Sequence, residues 1–565
     1  MDRRHFCKLT GALTATALTG CGRDPGDLSH IAGGFTGITQ DRGHTLRDGL
    51  PGGTRPPERM RQTQVLILGG GVAGLAAARA LRLRGQEDFA LLELEDSAGG
   101  NARGGVVSGI ACPLGAHYLP VPGDNAPEVQ DLLEELGLRQ RVAGRWRYDE
   151  RHLCHSPQER LFFQGEWQEG LLPVQGVGEA TLAQYRRFAA LVEGLQRTAA
   201  WYIPMQNGPV APVKRSLSAM TFIAYLLQNG LDDPHLHWYL DYCCRDDYGA
   251  GIATVSAWAG IHYFASRHGF HAPGDTSAEH EGLLTWPEGN AWLTRRLAGP
   301  LGERLHAGRV VLRVASLRHG VEVDAWDAVS GTFERWQARQ AVVALPIFVA
   351  ARVVENPPAF LHEALARMAY APWLVANLHI DQPLHDRPGA APSWDNVLYG
   401  LDRTHGGGLG YVDATHQSLL PVPGATVLTH YRALGDVAGN AALRAGVAGR
   451  RLLGARSWND WRQAILTELA QAHPDLPGKA TQLDITRYGH AMSIPLPQAD
   501  GQIGLWPPKN MDAALSKSKR PSTNHPTRPV LAWERLRFAH SDWAGYSVFE
   551  EAFAAGNAAG DDLYR

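Results

Sequence analysis

At 565 residues the chain exceeds what one compact core usually holds, so it should divide into at least two domains and can bury a large cofactor. A formal net charge of −3 supplies none of the basic surface that nucleic-acid recognition needs, which sets nucleic acid aside as a partner. Sixteen tryptophans spread along the chain call for large packed interiors rather than disorder.

The first residues read as an export signal over 1–21. Arg3, Arg4, Phe6 and Lys8 resemble a twin-arginine signal, and the weakly apolar run ending Leu18, Thr19, Gly20, Cys21 resembles a lipobox. That resemblance implies export to the periplasmic or extracytoplasmic face of a bacterial membrane, with Cys21 lipidated and membrane contact made only through that anchor. The run is too short and too rich in Thr and Gly to cross a bilayer. Residues 22–61, rich in Gly, Pro and Arg, read as a flexible linker. Beyond it Cys112, Cys154, Cys243 and Cys244 form no CxxC pair and no zinc-like spacing with histidine, so no metal is expected and these cysteines read as packed thiols.

An apolar strand at 64–68 runs into Gly69, Gly70, Gly71, Val72, Ala73, Gly74 and then an Ala- and Leu-rich helix. This is the dinucleotide fingerprint in its proper setting. Gly69 makes the turn, Gly71 admits a pyrophosphate to the helix N-terminus beside Val72 and Ala73, and Gly74 lets helix and strand pack closely. A second strand ends at Glu93, 24 residues beyond Gly69, where a carboxylate accepts hydrogen bonds from ribose hydroxyls.

The sequence continues through Glu95, Gly99, Gly100, Asn101 and Arg103, then Gly115, Ala116, His117, Tyr118. On these segments the chain resembles the flavin-containing amine oxidase and phytoene desaturase superfamily. The resemblance implies an α/β fold: a Rossmann-type, glutathione-reductase-like FAD-binding domain with an interleaved α+β substrate domain. It implies that Gly99 and Gly100 wrap the FAD diphosphate and that Gly115, Ala116 and His117 pass beside the flavin ring. Asn101 stands where the family has Arg; Arg103 either supplies that charge to the phosphate or forms an ion pair. By position Val311 sets its backbone against adenine, and a strand closing on Leu345 and Pro346 matches the family. Near the C-terminus Asp542 is the expected acid beside the ribitol, and Gly545 is expected to open a helix facing the flavin pyrimidine.

The implied domains are 62–135, 283–350 and 530–565 for FAD, and 136–282 and 351–529 for substrate. The strand around Trp373 to Ile380 lies where many amine oxidases carry a lysine, and none is present. Hydride transfer needs no such lysine, only a donor carbon held close with water excluded. Tyr488 is expected to wall the flavin and His490 to accept a proton. Further polar clusters are Arg245, Asp246, Asp247, Tyr248; Trp394, Asp395, Asn396; and Thr415, His416, Gln417, with Asp246 and Asp247 read as a solvated charged face. The resulting expectation is an FAD-dependent oxidoreductase that oxidises a small-molecule substrate, an amine first, and passes electrons to oxygen or another acceptor. The alternatives are a desaturase or isomerase on an apolar polyene or porphyrinogen, and a non-catalytic flavin-binding envelope lipoprotein.

Overall fold

A computed structural model describes residues 28–49, 55–154, 157–275, 282–401, 407–416, 422–439, 443–505, 515–516 and 530–563. The export-signal motifs, Cys21 and Gln417 lie outside the described residues. Among those described, no helix is long and apolar enough to cross a membrane and no cluster of metal-ligating side chains occurs.

Four consecutive apolar residues, Val65–Leu68, are buried on both faces, as a central parallel strand requires. This strand pairs in parallel with Phe89–Leu92 on one side and Gln340–Val343 on the other, and Leu536–Phe538 continues the sheet in parallel. The seven-stranded sheet thus draws on three separated stretches of chain, with Val530–Trp533 and Leu515–Ser516 at its far edge. Alternation decides what covers it. Val65 and Ile67 face the helix Val72–Leu83, whereas Leu66 and Leu68 face Val311, Val323 and Trp336 of a four-stranded sheet built on Arg309–Leu317, Gly320–Asp327 and Thr332–Ala338. The C-terminal helix Phe549–Leu563 lies directly on Val72–Leu83. A Cβ on Gly556 would come 1.9 Å from the Ala73 carbonyl oxygen and one on Gly560 2.5 Å from that of Ala77, so only glycine allows this crossing.

The second half is an eight-stranded sheet whose long strands, Tyr370–Ile380 and Ala480–Ser493, pair antiparallel. Trp373 and Val375 face the helices Glu179–Thr198, Pro234–Tyr248 and Ala257–Ala265, while Leu374, Ala376 and Leu378 face Trp458–Leu469 on the opposite side.

The expected linker 22–61 is largely structured where it is described. Ala32–Thr36 adds in parallel to Ala480–Ser493, Gln40–Asp48 is a helix, and Arg59–Gln62 joins the four-stranded sheet. Its Gly and Arg content misled because its order comes from distant partners: Leu28 and Ile31 are buried among Trp461, Leu483 and Ile485. The Cys112, Cys154, Cys243 and Cys244 thiols are free and buried, as expected of packed cysteines.

Candidate active site

Gly69 has φ of 99°, and its N–H donates to the Leu92 carbonyl at 2.9 Å, so the chain turns tightly off the sheet. A Cβ on Gly74 would lie 1.9 Å from the Gly69 carbonyl oxygen, which fixes helix against turn. Gly71 caps the helix without a side chain, leaving the first-turn N–H groups of Val72 and Ala73 open to an anion. Opposite them the Gly99 N–H donates to the Gly70 carbonyl at 2.8 Å, and a Cβ on Gly100 would meet the Gly71 Cα at 3.0 Å. Two glycine backbones therefore enclose a cradle that no side chain fills.

Glu93 is buried at its rim. One carboxylate oxygen accepts the Gly70 N–H at 2.7 Å and the other the Glu95 N–H at 2.8 Å, while burial raises its pKa. Each oxygen retains a lone pair for a ribose hydroxyl. Arg103 stands 3.5 Å from Glu95, and its Nη1 is buried without a hydrogen-bond acceptor. The ion pair is formed, and one guanidinium donor remains unmet on the side chain that the family resemblance assigned to phosphate. Asn101 instead acts as a strut: its Nδ2 donates to the Ala491 carbonyl and its own carbonyl accepts the Ala116 N–H at 2.8 Å.

The segment from Leu114 to Tyr118 is clamped from all sides. The Tyr488 hydroxyl donates to the Leu114 carbonyl at 2.7 Å and the Tyr431 hydroxyl to the Gly115 carbonyl at 3.0 Å. Ala116 accepts the Asn290 N–H at 3.0 Å. A Cβ on Gly115 would meet the Asn101 carbonyl oxygen at 2.1 Å. Tyr488 thus ties two halves together. Tyr431 does the same and was missed by sequence reasoning, because nothing in its strand Thr426–Ala433 signals a partner some three hundred residues earlier.

Beside this segment the rings gather. His117 stacks on Tyr431 with centroids 4.3 Å apart and lies 5.3 Å from Trp394, which Tyr118 meets edge-on at 5.9 Å. Burial pulls the His117 pKa down to about 3, so it packs as a neutral ring. The Tyr118 hydroxyl donates to Asp246 at 3.1 Å and the Tyr242 hydroxyl to Asp395 at 3.3 Å. Burial first, and the neighbouring Asp247 next, raise the Asp246 pKa to about 7; Asp395 is pushed well above the ordinary carboxylate range by burial, Asp246 and Glu159. The expectation of a solvated face at Asp246 and Asp247 is therefore corrected. Both lie on a helix packed into the core, and Asp247 is paired with Arg267 at 2.8 Å.

Other expectations also change. Asp542, 1 % exposed, accepts the Ile347 N–H at 3.0 Å and the Tyr370 hydroxyl at 2.7 Å on one carboxylate oxygen, and its own backbone N–H donates to the His540 Nδ1 at 3.1 Å. Its carboxylate caps the helix Ile347–Val353. Gly545 ends a short 3-10 turn at φ 83° and opens no helix; the C-terminal helix starts at Phe549. Its first turn carries buried Glu550 and Glu551, which already occupy the positive end of the helix dipole. His490 is exposed and stacks on Phe348 at 4.5 Å beside Tyr370, with desolvation by its packed neighbours and nearby Arg450 lowering its pKa to about 4. Val311 lies on the strand Arg309–Leu317, whose first residue donates its N–H to the Glu93 carbonyl at 2.7 Å. Thr415 folds back on Asp413 in a turn and joins no site.

Comparison with known proteins agrees with this geometry. A solved redesigned putrescine oxidase superposes with a TM-score of 0.63 at 17% identity, covering 89% of this chain and 99% of that one. Cyclohexylamine oxidase from Brevibacterium oxydans gives 0.59 at 16%, covering 90% and 100%. A fatty acid isomerase from P. acnes gives 0.57 at 13%, covering 88% and 97%. At these identities the likeness is one of fold. An L-amino acid dehydrogenase of Synechocystis is 25% identical over 310 residues, a match that takes in 52% of this chain and 58% of that protein's length. The family model for flavin-containing amine oxidoreductases matches residues 72–563, from the phosphate-facing helix to the end of the C-terminal one. The chain belongs to that family of FAD-dependent oxidoreductases, and the cradle between Gly71 and Gly100 with the unmet Arg103 donor fits its cofactor.

Proposed function

We propose that the protein dehydrogenates a small organic amine, with the substrate's ammonium group held among Asp246, Asp395 and the rings of His117, Tyr118, Trp394 and Tyr431. The observation that carries this reading is the pair of half-buried, hydroxyl-bonded carboxylates, Asp246 and Asp395, beside the clamped segment Gly115–Tyr118. Ionising either carboxylate in a buried setting is costly, and an entering cation offsets that cost. Stacked rings add cation–π attraction for the same group. Arg267, the guanidinium that acts on Asp246, is already committed to Asp247.

FAD, when bound, supplies the hydride acceptor at N5. The protein's residues bind and orient: Tyr431 and Tyr488 hold the backbone beside the ring, and Asp246 and Asp395 fix the nitrogen. The absence of lysine from Tyr370–Ile380 supports an electron acceptor other than oxygen as readily as oxygen itself. Anaerobic titration of the flavin spectrum with primary amines, amino acids and polyenes tests the reading. Bleaching by amines alone is expected; bleaching by amino acids or polyenes and not by amines overturns it.

A further inference from the structure

The segment 28–48 crosses from one half of the molecule to the other and ends on the loop that carries Glu93 and Arg103. At its start Leu28 and Ile31 are buried in the substrate half, and the Arg462 guanidinium donates to the Ile31 carbonyl at 3.2 Å. Ala32–Thr36 then lies in parallel register on Ala480–Ser493, from Ala32 opposite Gln482 to Thr36 opposite Thr486. The seat is specific: Gly33 has φ of 137°, and a Cβ there would lie 1.9 Å from the Leu483 carbonyl oxygen. Arg487 stacks its guanidinium 3.6 Å over the Phe35 ring and donates to Gln40 at 3.2 Å.

From Thr39 onward, apart from Gln40 and its bonds to Arg487, the contacts turn to the nucleotide half. The Thr39 N–H donates to both carboxylate oxygens of Glu95, at 3.0 and 3.1 Å. Arg42 donates to the Leu94 carbonyl at 3.1 Å and pairs with Asp96 at 2.7 Å. Arg352 donates to the Arg47 carbonyl at 2.9 Å, and Leu46 packs against the core behind the central sheet. Glu95 is the hub. It pairs with Arg103, and its N–H is accepted by Glu93, whose other oxygen holds Gly70. Arg103 therefore rests on a carboxylate that the N-terminal segment grips from outside, and Glu93, with Gly70 beyond it, rests on the backbone N–H of that same residue.

We propose that residues 28–48 form a strap that retains FAD, with Thr39 and Arg42 as positioning residues acting through Glu95 and the Phe35 stack as the strap's far anchor. Opening the Glu93–Arg103 loop far enough to free the dinucleotide requires breaking the Thr39 and Arg42 contacts, so the strap acts on cofactor release and not on hydride transfer. Bound FAD and a seated strap stabilise each other through the same loop.

The test is the rate of FAD release from the holoprotein, read as the rise of free-flavin fluorescence in flavin-free buffer with chaotropic bromide at a level that leaves the circular dichroism unchanged. The variant Thr39→Pro/Arg42→Ala removes the donors to Glu95, Leu94 and Asp96, and should release FAD roughly tenfold faster than wild type. Phe35→Ala touches only the far anchor and should speed release by roughly threefold, the loss of one exposed cation–π contact. Release within about twofold of wild type in the double variant overturns the proposal. So does an unchanged rate in Phe35→Ala, which would make the Glu95 contacts local and the strap irrelevant. A lower melting temperature of the apoprotein with unaltered FAD release overturns it as well.

Discussion

Replacing Asp246 by asparagine probes the acidic pocket through stability as well as turnover. The folded protein raises this carboxyl from its ordinary value of 3.8 to about 7, with burial as the main cause and Asp247 second, while the Tyr118 hydroxyl and Arg267 work in the opposite direction. Tyr242 and Asp395 face the same space. A folded-state pKa above the unfolded one means that the native state holds the proton longer, so stability falls as pH rises from about 4 to 7 and is level above that. A shift of about three units corresponds to about 4 kcal/mol. An amide cannot ionise, so the cofactor-free Asp246→Asn protein should gain on wild type by up to about 4 kcal/mol between pH 4 and pH 8. Denaturant unfolding at a series of pH values measures this gap, and kcat/KM for a primary amine should fall in the same variant. A gap that is the same at pH 4 and pH 8 refutes the reasoning, because it would mean that Asp246 titrates alike in the folded and unfolded chains.

Gly74→Ala forces a Cβ into the Gly69 carbonyl and should cost about 1–3 kcal/mol with loss of bound flavin, checked by thermal melting and by the absorbance of the purified protein. Asp542→Asn should destabilise the cofactor-free protein by about 1–2 kcal/mol, since it weakens the cap on Ile347 and the bond from Tyr370. A loss seen only in FAD affinity would return Asp542 to the cofactor. We propose that Cys21 carries a lipid anchor, so Cys21→Ala should move the protein from the membrane to the soluble fraction, as fractionation and immunoblotting would show; continued membrane association removes the anchor.

The features legible in the sequence are those whose causes are local. Gly69, Gly71 and Gly74 are demanded by a turn and a helix contact within six residues, and Glu93 follows from where the next strand ends. The features that were not legible depend on distant partners. Residues 32–36 look like glycine-rich linker until the edge of Ala480–Ser493 receives them. Asp246 and Asp247 look like solvent-facing charge until Tyr118 and Arg267 are brought over them. Asp542 carries the acid that the family pattern leads one to expect, yet one of its oxygens is spent on Ile347 and Tyr370. Trp394 and Asp395 were visible as a polar and aromatic cluster, and only the fold shows that they share a pocket with Asp246.

The crossing of Gly556 and Gly560 over Ala73 and Ala77 has a consequence for biosynthesis. The helix that begins at the glycine turn is made early, and the helix that covers its back is made far later. While the nascent chain is on the ribosome, Val72–Leu83 must wait with one apolar face uncovered for nearly five hundred residues of further synthesis. Cofactor capture must therefore wait for Phe549–Leu563, and a message cut short before Gly556 would yield a chain with its glycine turn intact and no finished place for FAD.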